Sequence, residues 1–295
     1  AEKIVCGDRL EHRLIAFKRS DLSTFSLTYG QFGAGTSNFS LIHEIAQFPG
    51  GYLVADLVNQ RVKVHSDKNL TFLKQYGQLG TTATSYHQPT GVAADNSSFY
   101  VSDESNNRIL KVDQSTFANL VQVQVDHNII ADSSLALGDK YLFMAYNNLS
   151  ASDNDTIEVF LEKRDKANLE LLQRVTVKPE NVSTGSFRMQ GSIGLLGKYV
   201  FITFNDNDDA GNTIKYYLQK RLQSTFELVQ EYSSYNQFMG VTGYSKSYEP
   251  QTLTKSIDLK VEGRYIQFKF YDEGLDNYWR LYQMTPLLEV QPLSY

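Results

Sequence analysis

The chain has 295 residues, 28 of them basic and 33 acidic, for a formal net charge of −5. That balance argues against a general nucleic-acid surface, which needs clustered Lys and Arg to displace counterions, and no run of about 18 apolar residues is present to span a membrane. Cys6 is the single cysteine, so an intrachain disulfide and a cysteine-based metal site are excluded, and the residue reads as a buried, inert thiol.

Tyr and Phe are abundant while helix-favouring runs are scarce, so the chain reads as short strands separated by turns. The first unit has strands Lys3–Gly7, Arg13–Phe17 and Thr24–Tyr29, closing on Gly30-Gln31-Phe32-Gly33. A second follows as Leu41–Phe48, Tyr52–Asp56, Arg61–His65 and Leu70–Tyr76, closing on Gly77-Gln78-Leu79-Gly80. The two Tyr-Gly-Gln-Phe/Leu-Gly closures lie about 47 residues apart, the spacing of a propeller blade. The third unit, Tyr86–Val125, gives four more short runs.

Unit four reads Ser134–Leu137, Tyr141–Tyr146, Thr156–Lys163 and Leu169–Val177. Unit five reads Ser192–Leu196, Tyr199–Asn205, Thr213–Arg221 and Phe226–Tyr232. An insertion, Ser233–Ser256, precedes a sixth unit of Ile257–Val261, Tyr265–Tyr271, Tyr278–Met284 and Leu287–Pro292. A four-stranded sheet cannot bury both faces alone, whereas several in a ring can. The expected fold is therefore all-β: one six-bladed β-propeller domain over 1–295, with blades near 1–33, 34–80, 81–126, 127–178, 179–233 and 234–295. Nothing in the chain supplies an inner strand for unit one, so a three-stranded first blade is expected.

Asp8 and Arg13, Asp56 and Arg61, and Asp103 and Arg108 repeat one spacing, an Asp closing strand two and an Arg five positions later opening strand three. Asn59 and Asn106 fall in the intervening turns, where Asn tolerates left-handed geometry. With the Gly-x-x-Gly ends and the Gln88-Pro89-Thr90-Gly91 entry, these residues resemble the NHL repeat, the blade unit of a family of six-bladed propellers. The resemblance covers roughly the first 115 residues; units four to six keep the rhythm without the pair. It implies a propeller whose relatives bind RNA or proteins, related six-bladed propellers including enzymes. The Asp…Arg pairs read as structural ion pairs that hold the hairpin.

Asp153, Asp155, Asp206, Asp208, Asp209, Asp272, Glu273 and Asp276 crowd the loops between strands two and three of the later units, which a propeller places on one face. Such a group attracts cations or basic partners. Asp206, Asp208 and Asp209, with Gly211, also form a short oxygen-rich loop that calcium would suit, although the later Glu of an EF-hand is missing. A solvated turn is the plainer reading of that loop. The five histidines, His12, His43, His65, His87 and His127, show no tight metal spacing. His43, Glu44 and His87 are the candidates for a metal-dependent propeller hydrolase or lyase. No Gly-x-Ser-x-Gly, P-loop or dinucleotide fingerprint is present, so no catalytic residue is assigned.

Tyr235, Phe238, Tyr244 and Tyr248 in the insertion offer large contact area at low entropic cost and are the candidate ligand-binding residues. The expected function is a non-enzymatic scaffold recognising a protein or glycan, with no cofactor. The alternatives are a calcium- or zinc-dependent enzyme and an RNA-binding domain. Sequons at Asn38, Asn69, Asn96, Asn148, Asn154 and Asn181 favour a secreted glycoprotein. The chain starts at Ala1 without Met, which fits a processed protein or part of a larger chain or assembly.

Overall fold

The computed structural model describes residues 3–18, 21–125, 129–149, 156–180, 186–189, 191–206 and 213–237. These fold into five antiparallel sheets, not six; the expected sixth unit lies outside the described residues. Sheet one is β1 (Lys3–Asp8), β2 (Arg13–Lys18) and β3 (Asp21–Tyr29). Sheet two is β4 (Ile42–Phe48), β5 (Gly51–Asp56), β6 (Arg61–Ser66) and β7 (Phe72–Tyr76). Sheet three is β8 (Pro89–Ala94), β9 (Ser98–Asp103), β10 (Arg108–Asp113) and β11 (Asn119–Gln124). Sheet four is β12 (Ile129–Leu137), β13 (Tyr141–Leu149), β14 (Ile157–Asp165) and β15 (Leu171–Val177). In sheet five, β16 (Phe187–Met189) and β17 (Gly194–Leu196) share the innermost position, both pairing with β18 (Tyr199–Asp206), followed by β19 (Thr213–Leu222) and β20 (Leu228–Gln237). Strand β16 was not expected, and β20 runs on into what the sequence suggested was an insertion.

Strands are consecutive within each sheet, and β4 lies against β8 and β8 against β12. Four apolar clusters fill the four gaps between neighbouring sheets. Between sheets two and three, Leu53, Ala55, Val62 and Val64 meet Val92, Phe99, Val101 and Leu110. Alternation places every second side chain of a strand in one gap and the others in the next. Sheet one has three strands among the described residues, and β1 stands where β5 and β9 stand in the complete sheets.

The hairpin between strands three and four is the same in four sheets. Leu70, Phe117, Leu169 and Phe226 sit at φ of 58°, 59°, 62° and 59°, and each side chain is buried. A left-handed conformation costs a bulky residue about 1–2 kcal/mol. Burying a Leu or Phe side chain returns about 1.5–3 kcal/mol, so burial wins. The sequence reading placed Leu70, Leu169 and Phe226 in strand four, because an apolar residue before an alternating run looks like its first member. In three of the four turns the carbonyl is met by the side chain five positions earlier: His65 Nδ1 at 2.7 Å from Leu70 O, Arg164 at 3.0 Å from Leu169 O, and Arg221 at 2.8 Å from Phe226 O. His65 is packed among Tyr29, Phe39 and Phe72, and burial lowers its pKa to about 4.

Phe39 and Tyr86 hold equivalent places in the two links, and both rings are fully buried. The Tyr86 hydroxyl has no hydrogen-bond partner among the described residues. Tyr86→Phe is therefore expected to leave the unfolding free energy unchanged or raise it by up to about 1 kcal/mol in chemical denaturation. A loss larger than that would mean the hydroxyl has a partner. Among the described residues, no helix is long and apolar enough to cross a membrane.

Candidate functional site

The turns between strands two and three and the links between sheets are bound together on one face. Asp56 accepts from Ser40 N–H at 2.7 Å, Asn59 Nδ2 at 3.0 Å and Arg61 Nε at 2.8 Å. The Arg61 fork then donates to the carbonyls of Ala34, Gly35 and Asn38 in the preceding link and to Gln75 Oε1. Sheet three repeats this: Arg108 Nε meets Asp103 at 2.7 Å, and its fork takes Thr81 O, Thr82 O, Ser85 O and Gln122 Oε1. A planar guanidinium with five N–H groups suits such a set of carbonyls. Both pairs are buried, so the Asp…Arg spacing predicted from the sequence forms clasps, not surface contacts. In sheet one the pair Arg13–Asp8 is longer, 3.1 Å, and part-exposed.

Asn59 and Asn106 do not take the left-handed conformation expected of them. It falls one position later, at His12, Gln60 and Asn107. The two Asn side chains instead donate to their Asp and to Gly33 O and Gly80 O of the link. Turn residues also hold the following link: Leu41 N–H donates to His12 Nδ1 at 3.0 Å, and Gln88 N–H to Gln60 Oε1 at 2.6 Å. His12 is thus a structural acceptor.

Links held this way present apolar side chains outward. Phe32 and Leu79 occupy the same repeat position and are 68% and 65% exposed. Leu10 and Val58, in the turns of sheets one and two, are 77% and 47% exposed. Phe32 packs on His12, with ring centroids 4.9 Å apart, and its neighbour Gly33 is tied to Asn59. Turn one, link one, turn two and link two thus each present an exposed apolar side chain. Single exposed leucines are ordinary; a row recurring at equivalent positions is not. The sequence reading missed it, although the Gly-Gln-Phe-Gly and Gly-Gln-Leu-Gly repeats carry two of its members.

At the innermost strands, His43 and Glu44 are both buried on β4. Glu44 Oε2 accepts from Val92 N–H at 2.7 Å and Leu135 N–H at 3.2 Å, and Oε1 from Ser134 Oγ at 2.5 Å. Ser134 Oγ in turn accepts from Ile193 N–H at 3.0 Å. His43 Nδ1 lies 3.1 Å from Thr90 O, and Thr90 and Ser102 both contact the Ser133 hydroxyl. One carboxylate thus joins sheets two, three and four, and Ser134 extends the chain of bonds to sheet five. His87 is exposed in the link, its N–H donating to Asp103 at 2.6 Å, and does not meet the other two.

Among the described residues, no three or more His, Cys, Asp or Glu side chains gather where a metal ion could be held. Asp206 Oδ1 accepts from Lys215 N–H at 2.6 Å, closing the β18–β19 hairpin; Asp208 and Asp209 lie outside the described residues. Of the aromatic candidates, Tyr235 is on β20, opposite Lys215, while Phe238, Tyr244 and Tyr248 lie outside. Asn69 and Asn96 are exposed, whereas Asn148 is 4% exposed within β13, so that sequon is closed to a glycan in the folded chain.

No protein-family model matches the chain, and no curated protein sequence does. Among solved structures, the chain is similar to the hydrazine synthase of Kuenenia stuttgartiensis, with a TM-score of 0.51 at 11% identity over 75% of this chain and 63% of that one. The fold is a β-propeller. BamB from Moraxella catarrhalis aligns with a TM-score of 0.41 at 11% identity, over 79% of this chain and 73% of that one. Myxococcus xanthus glutaminyl cyclase gives 0.42 at 9% identity, over 64% and 69%. The chain spans under two thirds of the hydrazine synthase chain, and at such identities the likeness speaks for the fold alone.

Proposed function

We propose that this propeller is a non-enzymatic recognition scaffold that binds a protein partner through the face built by its turns and links. The observation that carries this reading is the row Leu10, Phe32, Val58 and Leu79, exposed on turns and links of which link one, turn two and link two are held by two buried Asp–Arg clasps. Apolar side chains on a rigid support lose little entropy on binding, which is how interfaces concentrate affinity in a few residues. The strand ends Leu149 and Ile157, and Asp206 and Thr213, open toward this same face. The sequence supplies Asp153, Asp155, Asp208 and Asp209 between them, so a partner carrying an apolar patch flanked by basic residues fits best. Protein is preferred to glycan because the four large side chains that stand out on the described part of the face, Leu10, Phe32, Val58 and Leu79, are apolar. Exposed sequons at Asn69 and Asn96 agree with a secreted setting for such a scaffold.

The reading is tested with a photo-crosslinking residue at position 32, and at position 172 on the outer strand β15 as a control. Position 32 should capture a protein that position 172 does not. The double variant Phe32→Ser, Leu79→Ser should abolish capture while shifting the unfolding free energy by less than about 0.5 kcal/mol, as for surface changes generally. Equal capture from both positions, or capture that survives the double variant, would sink the reading.

A further inference from the structure

Two equivalent bonds fasten the ends of the two links, and one of them has an acceptor that can take a proton. His12 and Gln60 hold the same position in turns one and two, at φ of 53° and 57°. Each accepts from the last residue of the link that follows: Leu41 N–H lies 3.0 Å from His12 Nδ1, and Gln88 N–H lies 2.6 Å from Gln60 Oε1. Leu41 and Gln88 are themselves equivalent, at φ of 61° and 59°. An amide oxygen accepts at any pH. A ring nitrogen accepts only while it carries no hydrogen, so the bond to Leu41 requires a neutral imidazole with its proton on Nε2. An imidazolium carries a hydrogen on both nitrogens, and its Nδ1–H would face the Leu41 N–H, donor against donor. The same ring packs on Phe32, with centroids 4.9 Å apart. His12 and Leu41 are both half-buried, so water is a poor substitute for the lost acceptor.

We propose that His12 is an acid-sensitive latch on link one: a proton at Nδ1 unfastens Leu41, takes the backing from Phe32 and weakens partner binding there, while link two stays fastened. The regulatory part rests on the docking face proposed above. The sign follows from the geometry. The fastened form excludes a proton from Nδ1 and the released form accepts one. The latch is therefore closed at the upper end of the imidazole range, about pH 5 to 8, and opens as pH falls through it. The charged groups beside the ring belong to its own hairpin: Asp8, which accepts from Glu11 N–H and Arg13 Nε, and the side chains of Arg9, Glu11 and Arg13. Link one, residues 30–41, brings no titratable side chain, and Asp56 and Arg61 beyond it are paired with each other. His65, packed beside Phe39, stays neutral through this range because burial lowers its pKa to about 4. The middle of link one remains held by the Arg61 fork at Ala34, Gly35 and Asn38, so the proton acts at Phe32 and Leu41 on either side of it.

Amide hydrogen exchange on the full chain reads the latch without any partner. Between about pH 8 and about pH 5, the Leu41 protection factor, corrected for the intrinsic pH dependence of exchange, should fall at least about tenfold, and that of Gln88 by less than about twofold. His12→Gln, which copies the acceptor of turn two, should keep Leu41 protected at both pH values. If that variant does not fold, or leaves Leu41 unprotected at the upper pH, Gln60→His is the second test and should make Gln88 respond to acid as Leu41 does. Partner binding is read by capture from a photo-crosslinking residue at position 58, which leaves Phe32 in place. Capture should fall at least about fivefold over the same pH change, the loss of one anchoring side chain, and stay level in His12→Gln. The proposal is overturned if Leu41 is equally protected at both pH values. It is also overturned if the acid response persists in a His12→Gln chain that protects Leu41 at the upper pH, or if Leu41 responds while capture does not. No capture at either pH, with the Leu41 response present, overturns the docking reading and upholds the latch on link one.

Discussion

Arg108→Ala is expected to lower the unfolding free energy by about 3–5 kcal/mol, the usual result of removing one member of a buried ion pair. The side chains of Arg108 and Asp103 are 3% and 0% exposed, so water cannot replace the lost guanidinium. Three link carbonyls and Gln122 lose their donor together with the carboxylate. Arg13→Ala removes the same residue from the same repeat position but should cost no more than about 1 kcal/mol, because that pair is part-exposed and weakly held. Denaturant midpoints of the two variants, measured side by side, check this; equal losses would contradict it. The penalty at Arg108 also has a sign in pH. Burial pushes the Asp103 carboxyl above its ordinary range, opposed by bonds from Asn106, His87 N–H and Arg108. Without the arginine it rises further above its unfolded value. A group raised in this way holds its proton in the folded state, so stability falls as pH climbs from about 4. The Arg108→Ala deficit should therefore be larger at neutral pH than near pH 4.

What could be read from the chain divides along the range of the forces involved. Strand order within each unit was legible because alternation and the Asp…Arg spacing are local. Arg61 and Arg108 reach their Asp over five positions, and the sequence shows both ends. Their other contacts, to link carbonyls 23 to 27 positions away, leave no pattern because any residue supplies a carbonyl. Left-handed turns at Leu70, Phe117, Leu169 and Phe226 were hidden for another reason: their side chains are chosen by the gap they fill, against local backbone preference. The apolar row was half visible. The repeated Gly-Gln-Phe-Gly and Gly-Gln-Leu-Gly motifs mark Phe32 and Leu79, yet only the clasp geometry shows that these two point outward while Phe39 and Tyr86, seven residues on, point inward.

Glu44 is the extreme case of that blindness and the source of the second large expected effect. Its acceptor oxygens serve groups 48, 90 and 91 positions away, in three sheets counting its own. In sequence it is a lone glutamate beside a histidine, and a metal ligand was the natural suspicion. In the fold, both oxygens are occupied by protein donors. Glu44→Leu keeps the volume but leaves the Val92 and Leu135 N–H groups and the Ser134 hydroxyl buried without an acceptor, at about 1–3 kcal/mol each. The expected loss is about 3–9 kcal/mol in denaturant unfolding, the sum of those penalties. Glu44→Gln should cost only about 1–2 kcal/mol, since its carbonyl can still take both N–H groups and only the Ser134 proton is stranded. A second readout separates this role from simple packing. Amide hydrogen exchange should quicken at Val92, Leu135 and Ile193, in three sheets at once, because Ser134 passes the disturbance to Ile193. If Glu44→Leu and Glu44→Gln lose the same stability, or exchange quickens in sheet two alone, the carboxylate is not what ties the inner strands together.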